Sequence, residues 1–298
     1  MSSIVFRTHQ LDMLYHTDLA KMTRAQAEHA IRARVQSTYL GNRVVLARIL
    51  GGPKILLSTE DLGFACHVML DGYWEIWLTL FLARIIGPGM TLIDVGANFG
   101  YYTVLFGHAV GRNGRVIAIE PVPTTAAMLH DTIALNGLNG NTQLIAAAAG
   151  DRDDVAVPLV VPPNEPKNAN VTAEPSPGSI MVPSVTLDRL TRDLSRLDLV
   201  KIDAEGAEVA IVAGMRETIA RFTPKILLEF NAARCANASV FLSEIAERYQ
   251  LISALNFEGD LEPVTISTLL TKRLGEDWLL FFEPRHSEPQ PFHADNPV

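Results

Sequence analysis

The stretch from residue 91 to residue 120 constrains the fold more than any other part of this 298-residue sequence. The short apolar run Leu92–Val95 ends at Gly96, which favours a strand buried on both faces of a parallel sheet. A helical segment follows Gly100, and a second apolar run ends at Glu120. The order strand, glycine turn, helix, strand predicts a βαβ unit at the centre of an α/β fold.

The turn of this unit has the pattern Asp-x-Gly-x-x-x-Gly, from Asp94 to Gly100, with Asn98 inside it. Because Gly96 and Gly100 bracket a tight turn, we expect bare backbone N–H groups at the N-terminus of the next helix. The pattern lacks the G-x-G-x-x-G of dinucleotide-binding proteins and the Gly-Lys-Ser/Thr of a P-loop. It therefore favours a nucleoside ligand without a pyrophosphate.

Glu120 closes the second strand twenty residues after Gly100. Nucleoside-binding α/β folds place a carboxylate there to accept hydrogen bonds from ribose hydroxyls, and it prefers a free diol to a phosphorylated one. S-adenosylmethionine is therefore the leading ligand. The alternative is an ordinary βαβ unit whose glycines only form a turn, and the position of Glu120 weighs against it.

Composition and charge restrict the function further. The net charge of −8 disfavours a groove that follows nucleic-acid phosphates, and small or neutral acceptors fit better. Cys66 and Cys235 lie far apart without CxxC spacing, so neither a disulfide scaffold nor a zinc site is indicated. The polar N-terminus argues against a secretory signal, and the apolar window Ile76–Ile86 is too short to span a bilayer. We expect a cytoplasmic protein without a membrane span.

The pattern along the chain divides it into an N-terminal arm and cap over residues 1–70, a main domain over 71–284 and a disordered polar tail over 285–298. Residues 1–20 predict a loose arm. Thr23 and Gln26 resemble a capping box, which predicts a helix over 24–36. The segments 43–50 and 54–58, joined by Gly-Gly-Pro, predict a β-hairpin.

Periodicity predicts the remaining elements of the main domain. Apolar residues at helical spacing predict helices at 72–86, 126–136 and 208–219, and a further helix that carries Phe241 to Tyr249. Apolar runs predict strands at 143–149, 199–202, 225–230, 251–255 and 278–282. Residues 158–184 contain seven prolines, so this stretch is predicted to be a substrate-facing loop or lid.

Acidic residues at predicted strand ends are the candidate catalytic groups. Asp203, Glu205 and Glu208 follow the strand 199–202, and Glu229 lies near the end of the strand 225–230. Glu208 also suits a helix N-terminus, so Asp203 and Glu205 are favoured over it. Asp151, after the third strand, is a candidate for the adenine amino group, although a turn aspartate is equally natural there. Glu75 in the first turn of its predicted helix has a structural and a functional interpretation of similar weight.

Four motifs together resemble the FkbM family of S-adenosylmethionine-dependent methyltransferases: IDVGANFGYYT, VIAIEP, SVTLDRL and VKIDAEGAEVAIVAG. The resemblance covers about Asp71 to Glu283. It implies a seven-stranded, mostly parallel, Rossmann-like sheet with helices on both faces, and O-methylation of a sugar, glycan or metabolite hydroxyl.

Carried over residue by residue, the resemblance implies a cofactor site. Asp94, Gly96, Asn98 and Gly100 would hold the methionine end of the cofactor, and Glu120 would hold the ribose diol. Asp203, Glu205 and Gly206 form the D-x-E-G motif beside the methyl donor.

Methyl transfer to a hydroxyl needs collinear alignment and benefits from a base, for which Asp203 or Glu205 is favoured, with Glu229 in reserve. The same carboxylates suit a divalent cation, and spacing alone does not decide between the two. His67 and His108 are weaker candidates for the base, because a single histidine on an apolar element is more often structural. An NAD-dependent oxidoreductase and a non-catalytic nucleoside-binding module are the rival functions.

Overall fold

The protein was described by a computed structural model, in which residues 12–235, 237–272 and 274–284 are defined. The predicted tail over 285–298 and the first eleven residues of the predicted arm lie outside this described part of the chain. The N-terminal part forms a cap that leads into the first helix of the main domain. The elements of the cap are α1 (His16–Leu19), α2 (Arg24–Arg32), β1 (Ser37–Gly41), β2 (Val44–Arg48), β3 (Lys54–Ser58) and α3 (Ala65–Asp71). Helix α4 (Ile76–Ile85) follows as the first helix of the main domain.

The predicted capping box and hairpin are both present in the cap. Thr23 Oγ1 accepts from the Gln26 N–H while the Gln26 side chain accepts from the Thr23 N–H, and β2 pairs antiparallel with β3. The predicted helix over 24–36 ends at Arg32, because residues 37–41 form the strand β1 against β2. Strand β1 is not among the elements that the sequence predicts.

The central unit follows the predicted order. Its elements are β4 (Thr91–Val95), α5 (Tyr101–Val110), β5 (Arg115–Ile119), α6 (Pro123–Leu135) and β6 (Thr142–Ile145). The predicted third strand over 143–149 is split. Residues 142–145 pair with β5, whereas Ala148 and Ala149 pair with a different sheet.

The proline-rich stretch is not the irregular loop that its composition predicts. It forms most of a small sheet, which we call the strap (residues 148–185): β7 (Ala148–Ala149), β8 (Ala156–Val160), a 3₁₀ turn (Pro166–Asn168), β9 (Asn170–Val171) and β10 (Ile180–Val185). Proline removes only an N–H donor, and its carbonyl still accepts: the Thr172 N–H donates to the Pro158 carbonyl. Pro158 and Pro183 are therefore both accommodated inside paired strands.

The rest of the chain completes the main sheet and its second helical layer. These elements are α7 (Leu187–Thr191), β11 (Leu199–Ile202), α8 (Glu208–Ala213), α9 (Arg216–Phe222), β12 (Lys225–Phe230), α10 (Ala238–Ala246), β13 (Tyr249–Leu255), β14 (Leu261–Pro263), α11 (Ile266–Thr271) and β15 (Trp278–Pro284). The predicted single helix over 208–219 is broken at Gly214, where a Cβ would lie 2.0 Å from the Gly150 carbonyl oxygen. Tyr249 begins β13 instead of ending α10.

The main sheet confirms the predicted Rossmann-like α/β class. Within the described residues its strand order is β6-β5-β4-β11-β12-β15-β13-β14. The sheet therefore has the expected seven strands and an eighth, β14, which is a three-residue strand at one edge. Strands β4, β5, β6, β11 and β12 are mutually parallel, and β15 is antiparallel to β12. The chain runs outward from β4 to β6 on one side and from β11 to β12 on the other. The boundary between β4 and β11 is therefore a topological switch point, where open α/β sheets bind ligands.

Two apolar layers cover the sheet, one on each face. Leu92 packs into the layer that contains α4, α5 and the cap, whereas Ile93 and Val95 pack into the layer that contains α8 to α10. This alternation is the period-2 pattern of a strand buried on both faces. None of the helices in the described ranges combines the length and hydropathy that a membrane span needs.

Candidate active site

A cavity opens at the carboxyl ends of β4, β5, β11 and β12, next to the switch point. Its floor and wall include residues at or just after the ends of these strands: Gly96, Asn98, Glu120, Asp203, Glu205 and Glu229. Glu75, which precedes α4, also lies on the wall, and the roof comes from Phe64 of the cap, from Trp74, and from Pro166 and Lys167 of the strap. The two roof segments are joined by a hydrogen bond from the Leu62 N–H to the Asn164 carbonyl. Most of the residues selected from the sequence therefore meet under a roof that periodicity did not reveal.

The glycine turn brings β4 and β11 very close together. Gly96 has a φ of 75°, and a Cβ there would lie 1.8 Å from the Asp203 carbonyl oxygen. Gly100 has a φ of 99°, and a Cβ there would lie 2.5 Å from the Cδ1 atom of Leu129 on α6. Both glycines are therefore required by backbone conformation and by packing.

The N–H groups of this turn are not bare, contrary to the prediction from sequence. Gly96 and Ala97 both donate to the Ile119 carbonyl, and Asn98 donates to Glu120. The turn is thus tied to β5 and its carboxylate, which leaves these three donors unable to cradle a phosphate.

Glu120 is a buried carboxylate whose two oxygens are each anchored by the backbone. Oε2 accepts from the Asn98 N–H at 2.8 Å, and Oε1 accepts from the Val122 N–H at 2.9 Å. Burial raises the pKa of Glu120 to about 7, although these two hydrogen bonds act in the opposite direction. Each carboxylate oxygen has a second lone pair, so the group can still accept from a ligand in the cavity.

Asp94 lies beneath the cavity and not on its wall. It has no exposed surface, and Thr103 Oγ1 on α5 donates to its Oδ2 at 2.6 Å. Strand side chains alternate between the two faces, so Asp94 points toward α5 while the turn after Val95 reaches the cavity. Gly100 likewise does not line the cavity. Of the four residues expected at the methionine end, Gly96 and Asn98 are on the wall.

Asp203, Glu205 and Glu229 are brought together by β11 and β12. One carboxylate oxygen from each lies within 4.8 Å of the others. Burial and the charge of Asp203, which shares a hydrogen bond with Glu229, raise the pKa of Glu229 strongly. Burial alone would also raise the pKa of Asp203, but Lys201 lowers it below the usual value. Asp203 is therefore the stronger acid of the two, and Glu229 holds a proton more tightly.

Two cations already compensate this cluster. Lys201 Nζ lies 3.0 Å from Asp203 and 3.9 Å from Asp94. Arg234 donates to Glu205 at 2.7 Å and also pairs with Asp277. Because Lys201 and Arg234 supply the positive charge that a metal ion would supply, the cluster is a weak candidate for a divalent cation.

Three other candidates lie outside the cavity. Asp151 follows the short strand β7 onto the outer surface, where its side chain is 55% exposed and 3.5 Å from Arg152. It lines a groove of the strap that shares Ala148 and Ala149 with the cavity, and its role beside the adenine stays a prediction. His67 and His108 are both exposed and do not line the cavity.

Several cavity residues have no site role in the predictions from sequence. Lys201 is one of them, although a lysine inside the apolar run Leu199–Ile202 indicates a buried ion pair. Tyr102 Oη donates to Glu75 at 2.8 Å. Glu75 was placed in the first turn of a helix, but it immediately precedes α4 with a φ of 39°, so its side chain faces the cavity.

Comparisons with known proteins agree with this geometry. The sequence matches the family described as "Methyltransferase FkbM domain" over residues 94–258, which is more than half of the chain. It is 24% identical over 121 residues to a protein-L-isoaspartate O-methyltransferase of Methanococcus aeolicus, covering 38% of this chain and 56% of that protein. It is 26% identical over 162 residues to methyltransferase sdnD of Sordaria araneosa, covering 42% of this chain and 60% of that protein. The chain thus matches somewhat more than half the length of these relatives.

A similar solved structure is that of an FkbM methyltransferase from Methylobacillus flagellatus. The identity is 15% and the TM-score 0.43, and the similarity covers 70% of this chain and 53% of that one. The family match spans the glycine turn, the Glu120 strand and the acidic cluster, which are the parts that build the cavity floor. The chain therefore belongs to the FkbM methyltransferase domain family.

Proposed function

We propose that this chain transfers a methyl group from S-adenosylmethionine to a hydroxyl oxygen of a sugar, glycan or secondary metabolite. The observation that carries the proposal is the position of Glu120. Its carboxylate ends β5, is fixed by two backbone N–H groups and lines a cavity at the topological switch point. A carboxylate held in this way suits the diol of an unphosphorylated ribose.

The wall of the cavity fits the rest of the donor. Asn98 Oδ1 is buried without a hydrogen-bond partner in the described residues, and Asn98 lines the cavity. The small side chains of Ala148 and Ala149 leave space beyond Glu120 for a flat base. Bound S-adenosylmethionine would supply an electrophilic methyl group. The excess of carboxylates on this wall suits a cationic ligand.

The acidic cluster suits the acceptor hydroxyl. As the methyl group passed from the sulfur of the bound donor to the hydroxyl oxygen, Asp203, whose pKa Lys201 lowers and which shares a hydrogen bond with Glu229, would accept the hydroxyl proton. Proton acceptance of this kind contributes about 10²–10⁴ in rate, and alignment contributes roughly 7–11 kcal/mol in favourable cases. Glu205 is the second candidate base, and its ion pair with Arg234 would have to open first.

Metal assistance is the alternative role for the same carboxylates. Because Lys201 and Arg234 already pair with Asp203 and Glu205, we propose a metal-independent reaction. Methyl transfer should keep its full rate after exhaustive chelation with EDTA and dialysis. Loss of activity that added Mg²⁺ or Mn²⁺ restores would contradict the metal-independent mechanism.

Equilibrium binding separates the methyltransferase from its two rivals. We expect S-adenosylmethionine and S-adenosylhomocysteine to bind the purified protein in calorimetry, with no heat from NAD. Glu120→Ala should weaken S-adenosylhomocysteine binding by about 10–100-fold, because a buried, charge-assisted hydrogen-bond acceptor is lost. Glu60→Ala, on the exposed end of the hairpin, is the matched control. Binding of NAD alone, or of none of the three, would contradict the proposal.

The acceptor is found by following the methyl group. Incubation with methyl-labelled S-adenosylmethionine and a panel of glycans, hydroxylated metabolites and cell extracts should place the label in one product class. Mass analysis of that product then gives the methylated atom. Label on nitrogen or carbon would contradict the O-methylation part of the proposal while leaving the donor assignment intact.

The proposed catalytic domain covers residues 71–284, with residues 1–70 as a cap that contributes Phe64 to the roof. The apolar core of the cap is continuous with that of α4 and α5. The cap and the domain are therefore proposed to fold together.

A further inference from the structure

Glu75 is a carboxylate of the cavity wall that lacks a cationic partner. Tyr102 Oη donates a 2.8 Å hydrogen bond to it, but in the described part of the chain no lysine, arginine or histidine nitrogen lies within 4.0 Å of its carboxylate. Its backbone adopts the left-handed conformation, with a φ of 39°, directly before α4. A non-glycine residue in this conformation is strained, and such strain concentrates at functional sites.

The charged groups around Glu75 do not neutralise the negative charge of its ionised carboxylate. Burial and the charge of Asp203 raise the pKa of Glu75 to about 7, and the Tyr102 hydrogen bond, Lys201 and Lys167 only partly oppose this. Lys201 is already paired with Asp203 at 3.0 Å, and the Lys167 ammonium stands over the Trp74 ring, 5.8 Å from its centroid. Tyr101, the remaining titratable neighbour, bonds Thr79. A cationic group of a ligand would therefore stabilise the ionised form of Glu75.

Glu75 lies on the side of the cavity formed by the ends of β4 and β11, whereas the ribose candidate follows β5. Its partner Tyr102 lies in the first turn of α5, directly after the β4 turn, and its neighbours Lys201 and Asp203 lie in and directly after β11. Glu120 ends β5, which is two strands from β11 in the sheet. The two carboxylates therefore reach the cavity from different elements of the fold. A nucleoside with its ribose at Glu120 would extend its 5′ substituent toward Glu75.

We propose that Glu75, oriented by Tyr102, binds the α-ammonium group of the amino-acid end of the methyl donor. This inference rests on the proposed function, because it takes the ribose to be at Glu120. An ammonium group has three N–H donors: one reaches Glu75, and the unpartnered Oδ1 of Asn98 accepts another. The sulfonium has no N–H to donate, so the ammonium is the better match for a carboxylate already held by a hydroxyl.

The test uses calorimetry to compare two ligands whose sulfur atom carries no charge. These are S-adenosylhomocysteine and its analogue without the amino group. We expect Glu75→Gln to weaken binding of S-adenosylhomocysteine by about 10–100-fold and to leave binding of the desamino analogue within about twofold. Tyr102→Phe should weaken binding of S-adenosylhomocysteine by a smaller factor. Glu60→Gln, on the surface hairpin, should change neither affinity.

Proton release supplies a second readout at pH 6, where Glu75 is mostly protonated in the free protein. In buffers of different ionisation enthalpy, S-adenosylhomocysteine should release about one proton more than the desamino analogue. The difference should vanish in Glu75→Gln. Any release from Glu120 occurs with both ligands, since both carry the ribose, and so cancels.

The outcomes separate this inference from the proposed function. If S-adenosylhomocysteine binds the wild type and Glu75→Gln weakens both ligands equally, or neither, the ammonium assignment is overturned while the donor assignment stands. If neither ligand binds the wild type, the proposed function itself is overturned. Melting curves of the variants identify misfolding, and if Glu75→Gln is misfolded, Tyr102→Phe must show the selective loss or the inference is overturned.

Discussion

Gly96 shows how one residue can link the fold to the site. The carbonyl oxygen of Asp203 occupies the space that a side chain at position 96 would need, so the turn after β4 and the end of β11 are in backbone contact. This contact sets the position of Asp203 relative to the Asn98 N–H and, through it, relative to Glu120. The glycine therefore determines the spacing between Asp203 and the Glu120 side of the cavity.

Gly96→Ala should destabilise the protein by roughly 2–5 kcal/mol, because a left-handed φ and a steric overlap with backbone add together. Gly137→Ala is the matched control, since Gly137 has a φ of 69° and open space around it. It should cost about 1–2 kcal/mol. Urea unfolding of both variants measures the difference. Equal destabilisation would mean that the contact with Asp203 relaxes without cost.

Glu120 should make the stability of the ligand-free protein fall as the pH rises. Its pKa goes from 4.5 to about 7 on folding, so the folded state binds the proton more tightly than the unfolded state. The resulting stabilisation is complete below about pH 4.5 and is lost as the pH rises to about 7, on the order of 3 kcal/mol at most.

Urea titrations of the wild type and Glu120→Gln between pH 4.5 and 7.5 test this slope. The wild type should lose more stability over this range than the variant. Other titrating groups contribute to both proteins and cancel in the comparison. Parallel curves would show that Glu120 titrates at an ordinary pKa.

At the scale of elements, β4 and β11 are held together by ion pairs as well as by backbone hydrogen bonds. Lys201 is the register partner of Asp94, and its ammonium lies 3.0 Å from Asp203, 3.9 Å from Asp94 and 5.0 Å from the centroid of the Tyr102 ring. Lys201 and Asp94 are buried, whereas Asp203 is partly exposed to the cavity. Asp94 is therefore connected to the cavity indirectly, through Lys201, whose charge lowers the pKa of Asp203.

Lys201→Met should destabilise the protein by about 3–5 kcal/mol, because two buried carboxylates lose their cation. Adding Asp94→Asn should recover part of that loss, since asparagine can still accept from Thr103 without carrying a charge. A double-mutant cycle from urea unfolding gives the coupling between positions 94 and 201. Strict additivity would mean that Lys201 serves only Asp203.

The strap is a small sheet that positions residues over the cavity. Its paired strands hold the 3₁₀ turn that brings Pro166 and Lys167 over the cavity, and Asn164 ties it to the cap. Composition predicted a substrate-facing segment, and the strap does line the cavity. Its strands were not predicted, because proline is usually read as a break and the pairing depends on residues more than twenty positions apart.

At the scale of the whole molecule, the net charge of −8 argues against a nucleic-acid acceptor. We expect a fluorescent single-stranded RNA to show no saturable binding at about 10 μM protein in 150 mM salt, since phosphate contacts require basic surface. S-adenosylhomocysteine binding by the same sample controls for folding. Binding of the RNA with a dissociation constant below about 1 μM would contradict this expectation.

The sequence by itself determined the α/β class, the order of the central elements and the Glu120 carboxylate, because periodicity and turn chemistry are local properties. It also placed Asp203, Glu205 and Glu229 at strand ends, and parallel strands bring such ends to one edge. Only the tertiary structure decided that Asp94 lies below the cavity, that Asp151 faces outward and that Glu75 enters the wall. These outcomes depend on which face a side chain takes and on contacts between distant segments, and no local pattern encodes either.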